Sequence, residues 1–165
     1  MKRGSIVWLG SIVFVMMQFI SVSRVLAQEP CVTQAWDAFN DKDFVAAIAL
    51  ADGCIDDFGR AAYKVQRELD SLGIPLPPTG KVSAAERDQI FKRGLLNDVA
   101  TACWIKGRAA EHLCGVEGLH QEEYRVLAEE AYARACEYGH GRTWDERGWF
   151  WSPCEAANER LPLDE

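Results

Sequence analysis

Apolar residues recur every three or four positions along most of the chain beyond position 31, a period typical of amphipathic helices. The pattern predicts a first helix over 32–39 and a longer helical stretch over 44–72, in which Gly59 is a candidate interruption. The polar segment 40–43 predicts the turn between them, and Asp43 is placed to cap the second helix. The first part of the chain is therefore expected to form paired helices.

Proline and glycine interrupt this pattern most clearly at 73–80. Beyond them, Ser83 and Glu86 stand three residues apart in the order of a capping box, which predicts that a helix starts there. Gly94 predicts a kink or a break, and the apolar face of a long helix follows as far as Leu113. A second group of helices is therefore expected after the proline-rich segment.

A loop at 115–118 separates this long helix from a last striped helix, which ends near Tyr138. Further along, Ser152 is a cap and Pro153 a first-turn proline, and together they predict a short C-terminal helix. No stretch of useful length alternates between apolar and polar residues as a half-buried strand would. The predicted fold class is all-α, built from antiparallel helical hairpins.

The N-terminus has the three parts of a secretory signal peptide. Lys2 and Arg3 supply a positive start, 12 of the 15 residues in 6–20 are strongly hydrophobic, and small residues lead to a cleavage position after Ala27. Arg24 lies close to that position and leaves an uncleaved membrane anchor as the alternative. The expected localisation is the periplasm or the outside of the cell, with membrane contact only if the signal is retained.

Charge narrows the classes of partner. The 165 residues include 18 Lys and Arg against 25 Asp and Glu, for a formal net charge of −7. A protein that binds nucleic acid needs a basic face for the phosphate backbone, so no nucleic acid is expected as a partner. The plausible partners of an acidic exported domain are neutral or basic.

Two segments have the residue spacing of a known helical repeat. In 39–48 the order is Asp, an aromatic residue, two further residues, then Ala and Ile. Later, Ala128, Tyr132 and Ala135 have a small–aromatic–small order, and Gly107 is the small residue of the preceding helix. Both segments resemble the tetratricopeptide repeat, although they lie much further apart than that family's repeat length of roughly 34 residues. The resemblance implies a helical scaffold that binds proteins without catalysis.

The predicted organisation is one TPR-like domain after a signal peptide. The length of that domain is close to the common domain size. Its parts are the signal peptide 1–27, the domain 28–165, a first hairpin at about 32–58, connecting helices at 60–94, a second hairpin at about 95–139, and a Trp-rich loop with a C-terminal helix at 140–161.

All six cysteines lie beyond the predicted cleavage position, and an even number in an exported chain indicates disulfides. Residues equally distant from a turn lie opposite each other on antiparallel helices. Cys31 and Cys54 straddle the first turn in this way, and Cys103 and Cys136 straddle the second. The spacing therefore predicts the bridges Cys31–Cys54 and Cys103–Cys136.

Cys114 and Cys154 then remain, and a bridge between them is the weaker expectation. The loop before Cys154 is long enough to fold back, while Cys136–Cys154 is the competing pair. A structural zinc site is not favoured, because no two ligand doublets have its spacing. Neither a metal nor a cofactor is expected.

Residues that could carry chemistry are scarce. The motifs of serine hydrolases, zinc metalloproteases and phosphate-binding loops are all absent from the sequence. The three histidines, His112, His120 and His140, are not paired with a nucleophile by any pattern in the sequence. The protein is therefore expected not to be an enzyme.

An aromatic segment near the C-terminus is the candidate site. Three Trp and one Phe fall within 144–151, and an acidic exported protein seldom leaves four such rings together in water. The segment resembles a Trp-rich stretch of exported repeat proteins of unassigned function. The candidate binding residues are Trp144, Asp145, Arg147, Trp149 and Trp151.

Two interpretations of this segment stay open. As a site, it would contact a partner protein's side chains or a sugar; as a plug, it would cover the open end of the helical stack. An extended run places Trp149 and Trp151 on one face and Phe150 on the other, and Trp144 is expected to be a structural anchor. The expected function is an exported, non-catalytic module for protein–protein interaction. The alternative is a carbohydrate-active enzyme or a glycan-binding accessory of the envelope.

Overall fold

The computed structural model describes residues 31–116 and 120–163. The predicted signal peptide, 1–27, lies outside the described residues. The described part is mostly helical and includes one small antiparallel sheet. Its elements are α1 Val32–Asn40, α2 Phe44–Ser71, α3 Ala84–Phe91, α4 Gly94–Cys114, α5 Gln121–Cys136, β1 Thr143–Asp145, β2 Trp149–Trp151 and α6 Pro153–Asn158.

The helix starts lie where the capping residues predicted them. The side chain of Asp43 accepts a hydrogen bond from the backbone N–H three residues on, at 3.0 Å. Ser83 and Glu86 form both hydrogen bonds of the capping box. Ser152 caps α6 with Pro153 in its first turn. All three predicted helix starts are confirmed. They were predictable because each depends on local hydrogen bonding rather than on tertiary contacts.

Two expectations about chain breaks had different outcomes. Gly94 is the first residue of α4, so the predicted break is confirmed. Gly59 does not interrupt α2, which continues through it to Ser71. A Cβ at Gly59 would lie 3.5 Å from the Tyr138 hydroxyl, an ordinary contact distance, and the position is buried. Gly59 is therefore a helical residue at a buried position, packed against the side chains of Tyr138 and Arg134.

The purely helical fold class is wrong in one place. β1 and β2 pair antiparallel, with Trp144 opposite Phe150, and the turn between them includes Gly148 at a φ of 93°. Each strand is three residues long, too short to produce a recognisable alternation in the sequence. The correct description is a mostly helical fold with a two-stranded sheet inside the Trp-rich segment.

α4 is the central helix, and it packs against α1, α2, α5 and α6. Small residues occupy the contact positions, which lets the helix backbones approach closely. Most of these small side chains are alanines that are completely buried. They are Ala35, Ala47, Ala51, Ala62, Ala100, Ala102, Ala109, Ala110, Ala128, Ala135 and Ala157.

The closest contact between α4 and α5 is formed by Gly107 and Tyr132. The Tyr132 ring is fully buried, and a Cβ placed on Gly107 would lie 2.5 Å from two of its carbon atoms. The Tyr132 hydroxyl donates a hydrogen bond to Glu111 at 2.5 Å, which fixes the ring against the glycine.

We expect Gly107→Ala to lower the free energy of unfolding by about 1–3 kcal/mol, the usual cost of overpacking. The matched control is Gly53→Ala on α2, where the new Cβ would meet no atom within 4 Å. Gly53→Ala should stabilise the protein by up to about 1 kcal/mol through helix propensity. Urea denaturation of both variants measures the difference, and equal effects would contradict the packing described here.

One predicted disulfide is confirmed and one is wrong. Cys31 and Cys54 form a disulfide, with a Cα–Cα distance of 5.3 Å, as the spacing around the first turn predicted. Cys136 bonds to Cys154 and not to Cys103, with a Cα–Cα distance of 4.3 Å. The competing pair, Cys136–Cys154, is therefore the correct one. The weaker expectation of a Cys114–Cys154 bridge is also wrong, because Cys154 is already bonded to Cys136.

The geometry of α5 explains this correction. Equal distance from a turn sets the height of two residues along paired helices, but it does not set the direction of their side chains. Cys136 is the last residue of α5 and bonds to α6, which packs against α5. Cys103 is completely buried, and burial raises the pKa of its thiol to about 12. Cys103 and half-buried Cys114 have no disulfide partner among the described residues.

His140 is a buried titratable group between α2 and the start of α4. Its ring nitrogens lie 3.4 Å from Arg93 Nη1 and 3.5 Å from Asp70 Oδ1, and its backbone N–H donates to Gln66. Burial is the main cause that lowers the pKa of His140, and the charges of Arg93 and Arg142 add to it, against the opposing charge of Asp70. Folding therefore shifts His140 toward its neutral form.

We expect stability to fall on acidification because of this histidine. Its ordinary pKa is 6.5, so below that pH the unfolded chain takes up a proton more readily than the folded one. His140→Gln removes this contribution, while Asp98, whose pKa burial raises to about 6, acts in the opposite direction in both proteins. Between pH 7.5 and 5, the melting temperature should therefore decrease less in His140→Gln than in the original protein. Equal decreases in the two proteins would contradict the assignment of this pH dependence to His140.

Candidate functional site

The Trp-rich segment divides its rings between two faces of the β-hairpin. Phe150 is fully buried, and its ring lies 5.4 Å from that of Phe91 and 4.8 Å from that of Trp144. Trp149 and Trp151 are half-buried on the other face, as alternation along an extended run predicted. The hairpin therefore has one face packed on the protein and one directed elsewhere.

A groove of about 650 Å³ lies against the face that bears Trp149 and Trp151. Its size is within the usual range for ligand sites. Segments from four distant parts of the chain meet there: α1, the end of the proline-rich segment, α4, and the hairpin with α6. The lining residues are Trp36, Thr79, Gly80, Trp104, Asp145, Trp149, Trp151, Ser152, Glu155, Ala156 and Glu159. We call this feature the Trp groove.

Four tryptophans form the apolar wall of the Trp groove. Trp104 on α4 contacts Trp36 on α1, with ring centroids 5.6 Å apart, and meets Trp151 edge-on at 4.9 Å. Trp149 pairs with no other aromatic ring among the described residues. The indole Nε1 of Trp104 is buried and has no hydrogen-bond partner in the described part of the chain. Among the four indoles of the wall, Trp149 is thus the one without an aromatic neighbour in the described part of the chain, and Trp104 is the one with an unpaired buried N–H.

The charged side chains along the Trp groove are all acidic. Asp145 accepts a hydrogen bond from the backbone N–H of Arg147 at 2.8 Å and so stabilises the hairpin turn. The carboxylates of Glu155 and Glu159 have no hydrogen bond or ion pair within 31–116 and 120–163. No Lys, Arg or His lines the groove among the described residues. The wall is thus aromatic with an anionic edge.

Hydrogen bonds hold the proline-rich segment, whose Gly80 lines the Trp groove, against the hairpin. Gly80 and Phe150 exchange two hydrogen bonds, at 2.7 and 2.9 Å, which attaches the end of the proline-rich segment to β2. The buried guanidinium of Arg142 donates to the carbonyl oxygens of Pro77, Gly139 and Gly141. A positive charge inside the protein is stabilised here by oxygen dipoles, and burial lowers the pKa of Arg142.

The structure brings together three of the five residues proposed from the sequence. Asp145, Trp149 and Trp151 line the Trp groove. Trp144 lies on the opposite face of the hairpin and is 41% exposed, with its ring packed against Phe91 and Phe150. Its role as a structural anchor stays a prediction, and Phe150 is the fully buried ring of that face. Arg147 is exposed in the turn and lies outside the groove lining.

The sequence pattern does not indicate the other two tryptophans of the aromatic wall, Trp36 and Trp104. Trp36 and Trp104 lie in regions with helical periodicity, where an aromatic residue is interpreted as part of the core. From the sequence, Glu155 and Glu159 are interpreted as ordinary acidic residues of a short helix. The only sequence feature that could have pointed to Trp36 and Trp104 is that they are the remaining tryptophans after residue 27.

The other two histidines, His112 and His120, lie outside the lining of the Trp groove. His112 stacks on Phe44 at 4.5 Å, and burial, followed by the charge of Arg108, lowers its pKa. His120 is exposed, 3.6 Å from Glu123. Within the described part of the chain, no three His, Cys, Asp or Glu side chains cluster as metal ligands would. None of the helices in 31–116 and 120–163 combines the length and the hydrophobicity that a membrane span requires.

The chain matches no known family model, and neither a curated protein nor a solved structure is significantly similar to it. The functional interpretation therefore depends on the residues of the Trp groove and on the disulfides.

Proposed function

We propose that this protein is an exported, non-catalytic binding module and that the Trp groove is where it holds a protein partner. One observation carries the proposal: four tryptophans from α1, α4 and β2 converge on a single open groove. Tryptophan is the residue most enriched where binding energy is concentrated in protein interfaces. A plug alone would bury its rings, whereas here Phe150 is buried and Trp149 and Trp151 stay partly exposed.

Export is supported by the cysteines. The bonds Cys31–Cys54 and Cys136–Cys154 are consistent with an oxidising compartment, because disulfides are rare where glutathione keeps thiols reduced. The predicted signal peptide agrees with this. A location in the periplasm or outside the cell follows from the two together as part of the proposal.

The proposed scaffold role also draws on the resemblance to tetratricopeptide repeats. The small–aromatic–small order on α5 has the packing that such a repeat needs: Ala128 and Ala135 are completely buried, and the Tyr132 ring fills the space beside Gly107. This packing is the reason why the proposal includes a TPR-like arrangement of the helices.

A photo-crosslinking residue at position 149 tests this function. Benzoylphenylalanine in place of Trp149 stands in the Trp groove, and the same residue in place of Trp144 stands on the other face of the hairpin. We expect a discrete protein adduct from position 149 in cells that export the protein, and none from position 144. Thermal melts of both variants verify that they fold.

Other outcomes would overturn the proposal. Adducts of equal yield from both positions would show that contact is not directed by the groove. A polysaccharide adduct at position 149 would favour the alternative glycan-binding function, and the absence of any adduct from a folded variant would exclude the groove as a partner site.

A further inference from the structure

We propose that the Trp groove recognises a basic polypeptide segment by enclosing a Lys or Arg side chain. This inference rests on the proposed function and names the chemistry of the partner. The inference is based on one combination: four indole rings and three carboxylates lie along the same groove, and no described residue of its lining is basic.

The carboxylates supply the first part of the argument. Glu155 and Glu159 are exposed and make no hydrogen bond or ion pair with another described residue. The charge of Glu155 acts against the effect of burial on the pKa of Arg142, so the ion pair with a ligand depends chiefly on Glu159. Asp145, whose carboxylate stabilises the turn, adds a third negative charge on the hairpin side. An anionic ligand would be repelled, whereas a cation would gain an ion pair on entering.

The indole rings supply the second part. The face of a tryptophan ring attracts a cation because its π-electrons carry negative charge, and Trp is the best of the aromatic residues at this. The protein already has one such contact: the guanidinium carbon of Arg108 lies 6.0 Å from the centroid of the Trp104 ring. Trp149 has no aromatic neighbour in the described part of the chain, so its ring can take the same role for a ligand.

A neutral sugar fits this lining less well. Sugar hydroxyls both donate and accept hydrogen bonds, but ionised carboxylates only accept. Besides the indole N–H groups of the tryptophans, the side-chain donors of the lining are the hydroxyls of Thr79 and Ser152. The Ser152 oxygen already accepts a hydrogen bond from the backbone N–H of Glu155 as the cap of α6. Lys and Arg side chains only donate, so they match an acceptor-rich groove. The net charge of −7 also favours the approach of a basic partner.

The test is a titration with two blocked pentapeptides, Gly-Gly-Arg-Gly-Gly and the same peptide with citrulline in place of arginine. Citrulline keeps the shape of the side chain and removes its charge. We expect saturable quenching of tryptophan fluorescence by the arginine peptide and binding weaker by about tenfold for the citrulline peptide. Raising the salt concentration should reduce the difference between them.

Two variants locate the charge. Glu159→Gln should weaken binding of the arginine peptide several-fold and leave binding of the citrulline peptide unchanged. Glu146→Gln, an exposed acid of the same hairpin outside the groove lining, is the matched control and should change neither.

The result also separates this inference from the proposed function. Equal binding of both peptides, lost in Trp149→Ala, would overturn the cation inference and leave a groove that binds a protein segment. Binding of a neutral chitooligosaccharide in preference to both peptides would overturn the inference in favour of a glycan. Failure of the arginine peptide to bind would overturn it outright, while the photo-crosslinking at position 149 would still decide the proposed function.

Discussion

Replacing Phe150 with Ala is expected to lower the free energy of unfolding by about 3–5 kcal/mol, the cost of removing a buried phenylalanine. The Phe150 side chain is 0% exposed and packs against Phe91 and Trp144. The same residue exchanges both backbone hydrogen bonds with Gly80. The substitution therefore leaves a cavity at the point where the hairpin is attached to the proline-rich segment.

Urea denaturation measures this effect, and Trp144→Ala is its matched control. Trp144 is the larger residue, but it is 41% exposed on the same face of the hairpin. We expect it to cost about 1 kcal/mol, in the range typical of substitutions outside the core. If Trp144→Ala destabilised the protein as much as Phe150→Ala, the assignment of Phe150 as the main anchor of this face would be wrong.

Arg142→Met is the second substitution with a large expected effect, about 3 kcal/mol or more. The Arg142 side chain is 2% exposed and donates to three carbonyl oxygens. Methionine fills similar space but leaves these acceptors buried without donors, and each unsatisfied group costs about 1–3 kcal/mol. The loss should be greatest between the hairpin and the segment that includes Pro77.

Hydrogen exchange and denaturation together test the role of Arg142. Exchange at the Gly80 amide should accelerate in Arg142→Met, because the carbonyl of Pro77 is no longer held against the hairpin. The control, Arg147→Met, changes an exposed arginine of the turn and should stay within about 0.5 kcal/mol of the original protein. An Arg142 variant as stable as this control would show that the buried guanidinium is dispensable.

The parts of the fold that were predictable from the sequence are those governed by neighbouring residues. The capping residues Asp43, Ser83 and Ser152 each act on an amide three positions away, so the sequence alone identifies the helix starts. Cys31–Cys54 was predictable because a short turn connects its two helices. The long continuation of α2 through Gly59 was not, because packing by other helices decides it.

The site was only half predictable for a related reason. Trp149 and Trp151 are two residues apart, and their shared face follows from strand geometry. Trp36 and Trp104 reach the same groove only through the packing of α1 on α4 and of α4 on the hairpin. The pairing of Cys136 likewise depends on the direction of one side chain at the end of α5, which residue spacing does not specify.

If the Trp groove is a binding site, the indole N–H resonances of the isotope-labelled protein should respond to a bound ligand. The five tryptophans after residue 27 divide into four that line the groove and Trp144, which does not. Titration with the arginine pentapeptide is predicted to shift the resonances of Trp149 and Trp151 most, those of Trp36 and Trp104 as well, and that of Trp144 least. Shifts confined to Trp144 would contradict the account, because the peptide would then bind on the face of the hairpin opposite the Trp groove. No shift at any of the five indoles would contradict recognition of a cationic side chain.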